Sequence, residues 1–363
     1  MSQQRPTRVR ISDVASVAGV SKSTVSIAFN NPERLSIETT ARVRATAEAL
    51  GYRPHPVARM LAQRRTHTLG ILTPQALVVA FSNPFFAMFS QGVAGVAEEF
   101  GYGVLYVSPL HGSLALAAGR ASVDGFVAIG LGEDHPEVEQ IRNAGLPIVL
   151  VDSAAFPEHG SVTADDEGGA YAAAEHLLGL GHTEFLILAV EPPHFVAGIG
   201  LASPALQGVT ALRMRGYRRA LEARGLELGD ERVVTGPASV DGGMAAFGKA
   251  IEAGLHFTAV LAMSDAIAIG VMRAARQRGL AIPGDISLVG FDDIDDAEHT
   301  NPPLTTVHQP VREKGAEAAR LLLSAIDRAD FGQPEHRHME TRLIVRGSTC
   351  PLPRERQEVK PVT

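Results

Sequence analysis

The chain has 363 residues, 45% hydrophobic and 20% charged, which suits a soluble protein with a large core and more than one domain. Its opening residues, MSQQRPTRVR, carry no apolar secretory run, no stretch is long enough to span a bilayer, and the lone Cys350 excludes an intrachain disulfide or a cysteine metal cluster. These features predict a cytoplasmic protein with no membrane partner. Net charge is −7, but residues 1–66 hold eleven Arg and Lys against four Asp and Glu, so a head of +7 precedes a body of −14. A basic head on an acidic body is the electrostatic footprint of a DNA-binding module attached to something else.

Residues 10–30, RISDVASVAGVSKSTVSIAFN, predict two short helices. The first starts with Ser12 as N-cap and turns Val14, Ala15 and Val17 inward. Gly19 supplies the tight turn. The second opens at the N-cap Ser21, with Val25 and Ala28 facing the first helix. This pattern is a helix-turn-helix, whose second helix enters the DNA major groove. Its outward positions are Lys22, Ser23, Ser26 and Ile27, and a solvated helical hairpin is the alternative reading. Residues 36–50 predict a third helix capped by Ser36 and stopped by Gly51, with Val43, Ala47 and Leu50 on its inner face. Pro54 and Pro56 then break the chain before a helix at 57–62, too short to be stable alone in water.

From Thr68 onward, strands and helices alternate. Apolar runs rich in β-branched residues occur at 69–72, 104–107, 125–130 and 147–152, then at 185–190, 259–263 and 286–291. Helical stretches at 88–100, 137–144, 170–178, 213–224, 244–253 and 266–278 separate them. Repeated β-α units predict parallel sheets covered on both faces, here in two similar subdomains flanking a cleft. Ligands in this architecture bind beyond the carboxyl ends of the strands. Metal-ligand spacing is absent around His176, His182 and His308, there is no Gly-x-Ser-x-Gly elbow, and Gly198-Ile199-Gly200 lacks the rest of a dinucleotide fingerprint. No enzyme, cofactor or metal is expected.

The stretches DVASVAGVSKSTVSIAFN, VARMLA, SNPFF, EHLLGLGH, SLVGFDD, NPPLTTVHQP and LIVRGST, in this order, resemble the lac repressor family of bacterial transcription regulators over essentially the whole chain. The resemblance implies an N-terminal all-α helix-turn-helix head on a two-subdomain α/β body like the periplasmic binding proteins. It divides the chain into a DNA-binding domain at 8–52 and a hinge with a short helix at 53–67. An N-terminal effector subdomain follows at 68–164 plus about 294–328, a C-terminal one at 165–293 plus about 329–350, and a tail at 351–363.

It also implies a homodimer that binds double-stranded operator DNA and senses a small molecule, typically a sugar. Lys22 and Ser23 match base-reading positions. Ser21 and Thr24 cap the helix and touch phosphate. Ile27 stands where arginine is frequent, leaving only an apolar contact. In the hinge, Val57, Ala58 and Arg59 accompany Leu61, which either wedges into the minor groove or packs against the dimer partner. Arg59, Arg64 and Arg65 would lie near phosphates.

For the effector, the resemblance points to Asp292, Arg213, Asp152, Ser264 and Asp265, with Ser82, Asn83 and Phe85 in the loop after the first strand. Asp292 and Arg213 either grip ligand hydroxyls or form an interdomain ion bridge. Phe85 either stacks on a sugar or belongs to the core, while Asp293 caps or bridges. Residues 191–210 are longer than the corresponding connection in the family and are expected to form a lid shaping effector specificity. The tail lacks a leucine heptad, so a dimer is expected, not a tetramer. A small-molecule sensor without a DNA role is the alternative, and the basic head argues against it.

Overall fold

In the computed structural model of the protein, residues 9–53, 60, 65–131, 137–143, 145–153, 158–191, 208–328 and 333–353 are described. The chain divides into two compact units, Met1–Thr66 and His67–Thr363.

The first unit holds α1 (Ile11–Ala18), α2 (Lys22–Asn30) and α3 (Ile37–Ala49) around a core of Val14, Ala15, Ala18, Val25, Ala28, Val43 and Ala47. The start of α1 differs from the expectation. Arg10 is the N-cap residue, and the Asp13 carboxylate accepts its backbone N–H at 2.9 Å, so Ser12 lies inside the helix. Val17 is 66% exposed. At 100° per residue, Val14, Ala15 and Ala18 share a stripe from which Val17 lies about 110° away. Gly19 ends α1 at φ +65°, a left-handed conformation that an L-side chain resists.

The second unit contains two six-stranded sheets built from the same plan. β1 (Thr68–Leu72), β2 (Gly103–Val107), β3 (Gly125–Ile129), β4 (Ile148–Val151) and β5 (Gly160–Ala164) run in the order β5-β4-β3-β1-β2, and all pairs are parallel. β6 (Phe185–Val190), β7 (Val233–Gly236), β8 (Ala259–Ala262), β9 (Ser287–Asp292) and β10 (Thr305–His308) repeat it as β10-β9-β8-β6-β7. Two late strands complete the edges. β11 (His336–Met339) pairs parallel with β5, and β12 (Arg342–Ile344) pairs antiparallel with β10. The strand order reverses beside β1 and β6, the kind of place where open α/β sheets bind ligands.

Helices cover both sheets. The first lobe has α4 (Leu77–Ala80), α5 (Pro84–Glu99), α6 (Leu114–Arg120) and α7 (Val138–Arg142). The second has α8 (Asp166–Gly179), α9 (Gly208–Glu222), α10 (Val240–Glu252) and α11 (Asp265–Gln277). The long α12 (Val311–Asp327) returns to pack on α5 and on β3, β4 and β5.

The chain therefore crosses between the lobes three times, at Asp165, at Gln309–Pro310 and at Glu340–Thr341. These crossings correct the expected division. Residues 294–308 belong to the second lobe because β10 pairs with β9, and β11, expected in the second lobe, pairs with β5 of the first. Two crossings touch: Asp165 donates its N–H to the Met339 carbonyl at 2.9 Å, and Thr341 Oγ1 donates to the Asp165 carbonyl at 2.9 Å.

Candidate effector site and DNA-reading helix

In the head, the N-terminus of α2 is set by its cap. Ser21 Oγ accepts the Thr24 N–H at 3.0 Å and lies 2.6 Å from Ser23 Oγ and 2.8 Å from Thr24 Oγ1. Lys22 and Ser23 are exposed, while Ser26 and Ile27 are half-buried and Ser26 accepts from Asn30 Nδ2 at 3.2 Å. An exposed cation and small hydroxyls at the first turn of the second helix are donors of the kind that base edges and phosphates accept. Val57, Ala58, Arg59 and Leu61 lie outside the described residues, as does the bulk of the 191–210 segment.

In the body, the site grows from two equivalent strand ends. Asp152 follows β4 and Asp292 ends β9, the fourth strand of each sheet. Both residues take positive φ, +52° and +118°, and Asp293 adopts +57°. Strained backbone of this kind at strand ends aims side chains out of the ladder, a common device at binding sites. Gly216 brings α9 against α8, since a Cβ there would meet the Glu167 carbonyl at 2.2 Å. That approach lets Arg213 reach Asp166 at the start of α8.

The result is one unbroken polar chain through both lobes. Arg213 Nε donates to Asp166 Oδ1 at 2.8 Å, Nη1 donates to the Met263 carbonyl, and Nη2 lies 3.6 Å from Asp292 Oδ1. Its guanidinium sits 3.6 Å above the Phe291 ring. Gln309 Nε2 donates to Asp292 Oδ1 at 2.6 Å, and Gln309 Oε1 accepts from Lys314 Nζ at 2.5 Å. Lys314, wholly buried, also donates to Asp152 Oδ1 at 2.7 Å and Oδ2 at 2.9 Å. Asp152 and Asp166 line a cavity of about 230 Å³ together with Ser153, Thr163, Leu212 and Arg215.

Burial governs the protonation of these groups. It raises the Asp292 carboxyl to about 6, against the pull of Arg213, Gln309 and Lys314. Burial likewise raises Asp166, with Arg213 opposing. Tyr217, one turn beyond Arg213, is fully buried and its phenol is pushed upward by desolvation. Its hydroxyl has no hydrogen-bond partner among the described residues.

Of the residues expected at the effector site, Asp292, Arg213 and Asp152 are brought together in this chain. Others are engaged elsewhere. Ser264 caps α11 by accepting the Ile267 N–H at 3.2 Å. Asp265 is turned into the core, accepting from Ile294 N at 2.9 Å and Thr306 Oγ1 at 2.5 Å. Asn83 caps α5, and Ser82 donates to the Val79 carbonyl at 2.7 Å. Phe85 stacks on Phe89, and its ring lies 5.9 Å from Lys314 Nζ. Asp293 bridges His308 at 2.9 Å and Arg346 at 2.7 Å. Sequence reasoning missed Asp166, Gln309 and Lys314. Among the described residues, no group of His, Cys, Asp and Glu is arranged to hold a metal ion, and no helix is long and apolar enough to cross a membrane.

A helix-turn-helix head carrying exposed Lys22, followed by a two-lobed α/β body with a buried polar chain, defines a DNA-binding transcriptional regulator with a periplasmic-binding-protein-like domain. Residues 10–55 match the lacI family of bacterial regulatory proteins, and residues 174–349 match the periplasmic binding protein-like domain. The HTH-type transcriptional regulator CelR of Thermobifida fusca is 32% identical over 352 residues, covering 95% of this chain and 99% of its own. The structure of a CelR–cellobiose complex superimposes with a TM-score of 0.68 at 29% identity, covering 94% of this chain and 100% of the other. A lac repressor dimer bound to operator and an anti-inducer gives 0.77 at 25% identity, covering 95% and 100%. The chain belongs to the lacI family of transcriptional regulators.

Proposed function

We propose that this protein is a homodimeric repressor whose affinity for a palindromic operator is set by a small polyhydroxylated effector bound between the lobes at Asp152, Arg213 and Asp292. The observation that carries this reading is the polar chain from Asp166 to Asp152, which uses residues of both lobes and includes Gln309 at one of the crossings. An effector that exchanges hydrogen bonds with this chain changes the relation between the lobes. It shifts the equilibrium only by its differential affinity for the two arrangements. The bound cellobiose of the CelR complex and the operator of the lac repressor dimer support the two ligand classes.

In the head, Lys22 and Ser23 read bases, Ser21 and Thr24 meet phosphate, and Ile27 contributes apolar contact. The hinge residues Val57, Ala58, Arg59 and Leu61 enter the minor groove, where an apolar wedge offsets the cost of unstacking, about a few kcal/mol, by bending the duplex. Phe85 supplies an apolar wall beside Lys314.

The test is fluorescence anisotropy of the full chain on DNA from upstream of its own gene, with a sugar panel, at two salt concentrations. Selective binding whose midpoint one sugar moves by about 5- to 150-fold is expected for an allosteric coupling of ordinary size. Sequence-independent binding that no sugar alters would overturn the reading.

A further inference from the structure

The charges of the effector site restrict the ligand it accepts. Arg213, Lys314, Asp166 and Asp292 are buried together there beside the partly buried Asp152, two cations among three carboxylates, and each cation already faces a carboxylate. All three protons of the Lys314 ammonium are committed, two to Asp152 and one to Gln309. Arg213 is held by Asp166, the Met263 carbonyl and Asp292, and one face is covered by Phe291. The formal sum is −1 with every carboxyl ionised and zero with one protonated. It becomes positive only with Asp166 and Asp292 both protonated, and a carboxyl at about 6, as Asp292 is, stands mostly ionised at pH 7.

The acceptors are less fully used. Asp152 and Asp166 both border the cavity, and a carboxylate offers about four lone-pair sites. The cation on the cavity rim, Arg215, is 63% exposed at its side chain and lies 3.3 Å from Glu167, which also takes Arg219 at 2.6 Å. Water and salt screen a group so placed.

We infer that the effector is a polyhydroxylated compound bearing no anionic group, either neutral or carrying an amine. This inference rests on the reading that the effector binds at Asp152, Arg213 and Asp292, beside the cavity that Asp152 and Asp166 border. Hydroxyl or ammonium donors complete the carboxylates by charge-assisted hydrogen bonds. A ligand carboxylate or phosphate adds a negative charge to a buried cluster with no surplus cation, and displacing Asp152 from Lys314 strands the displaced carboxylate instead.

The experiment is calorimetric titration of the ligand-free full chain with families that share one carbon skeleton. Each family holds a hexose, its 2-amino form, its uronic acid and its 6-phosphate; ribose with ribose 5-phosphate, and cellobiose, complete the panel. Inorganic phosphate is followed in parallel by thermal melting against sodium chloride of matched ionic strength. The neutral or amino member is expected to bind, with its anionic relatives weaker by about tenfold or more, the step that 1.4 kcal/mol represents. Phosphate is expected to stabilise no more than the chloride control. An anionic member binding within tenfold of its neutral parent, or phosphate stabilisation that the bound sugar abolishes, overturns the inference while leaving the sugar site standing. Binding by no member of the panel overturns the sugar-site reading itself, and the inference with it.

Discussion

Replacing Asp292 with asparagine should stabilise the body at neutral pH and silence the effector response. Burial raises this carboxyl from 3.8 to about 6, so the folded protein holds its proton more tightly than the unfolded chain does. A group raised in this way contributes stability that is fully present below about pH 4 and lost as pH rises through about 6. At pH 7 to 8 the rise from 3.8 to about 6 amounts to about 3 kcal/mol forgone by the wild type. Asparagine keeps an oxygen for the Gln309 N–H and leaves Arg213 paired with Asp166. For a unit of roughly 300 residues, about 3 kcal/mol corresponds to about 5 °C in melting temperature. Melting curves of both proteins by circular dichroism, from pH 4 to 8, measure the difference directly. The gap should be close to zero near pH 4 and open to several degrees in favour of the variant by pH 7. A gap that stays constant with pH, or a variant less stable at pH 8, would refute the argument that burial of this charge costs stability.

Four further outcomes follow from the same geometry. Tyr217→Phe removes a buried hydroxyl with no partner among the described residues and should raise stability by about 1 kcal/mol in urea unfolding, the low end of the cost of an unsatisfied group. Lys314→Met leaves the Asp152 carboxylate without its buried counter-ion and should cost about 3–5 kcal/mol by the same assay. Gly19→Ala forces a side chain into φ +65° and should weaken hydrogen-exchange protection of the α1 and α2 amides by about 1 kcal/mol. Lys22→Ala should lower operator affinity and, if it meets a phosphate, reduce the salt slope of binding by about 1; an unchanged isotherm would place Lys22 away from DNA.

How much of this was legible in the sequence varies with the kind of burial. β1, β3, β4, β6, β8 and β9 lie inside parallel sheets covered on both faces, so they read as unbroken apolar runs. Strands such as GSVTA, TTVH and HRHM do not, because they mix polar with apolar residues and owe their conformation to neighbours distant in the chain. For that reason the lobe boundaries at 294–308 and 336–339 were misplaced. The two helices, the Gly19 turn and the Ser21 cap are readable from local chemistry, whereas a solvated hairpin stays open until the basic charge of the head and the family resemblance are added; Val17 shows that an apolar residue in a helix is not thereby inside. Asp152, Arg213 and Asp292 stand out only through resemblance to a family pattern, and the structure brings them into one polar chain. Lys314 carried no such signal. In VREKGAEAARLLLSAID it looks like one more charge on a solvated helix, and only Asp152, 162 residues earlier, makes its burial tolerable. Asp166 is equally disguised as an ordinary acidic residue in the first turn of α8.

The three crossings also set the order in which the molecule is completed during synthesis. The ribosome delivers β1 to β5 first, yet that lobe still lacks α12, which covers β3, β4 and β5, and β11, its outer strand. Both arrive only after the second lobe's sequence through β10 has been made. The first lobe thus cannot close ahead of the second, as successive domains on a nascent chain ordinarily do. Lys314 travels with α12, so Asp152 waits for its counter-ion until about the last seventh of the chain emerges, and the polar chain that links the lobes is among the final parts to form.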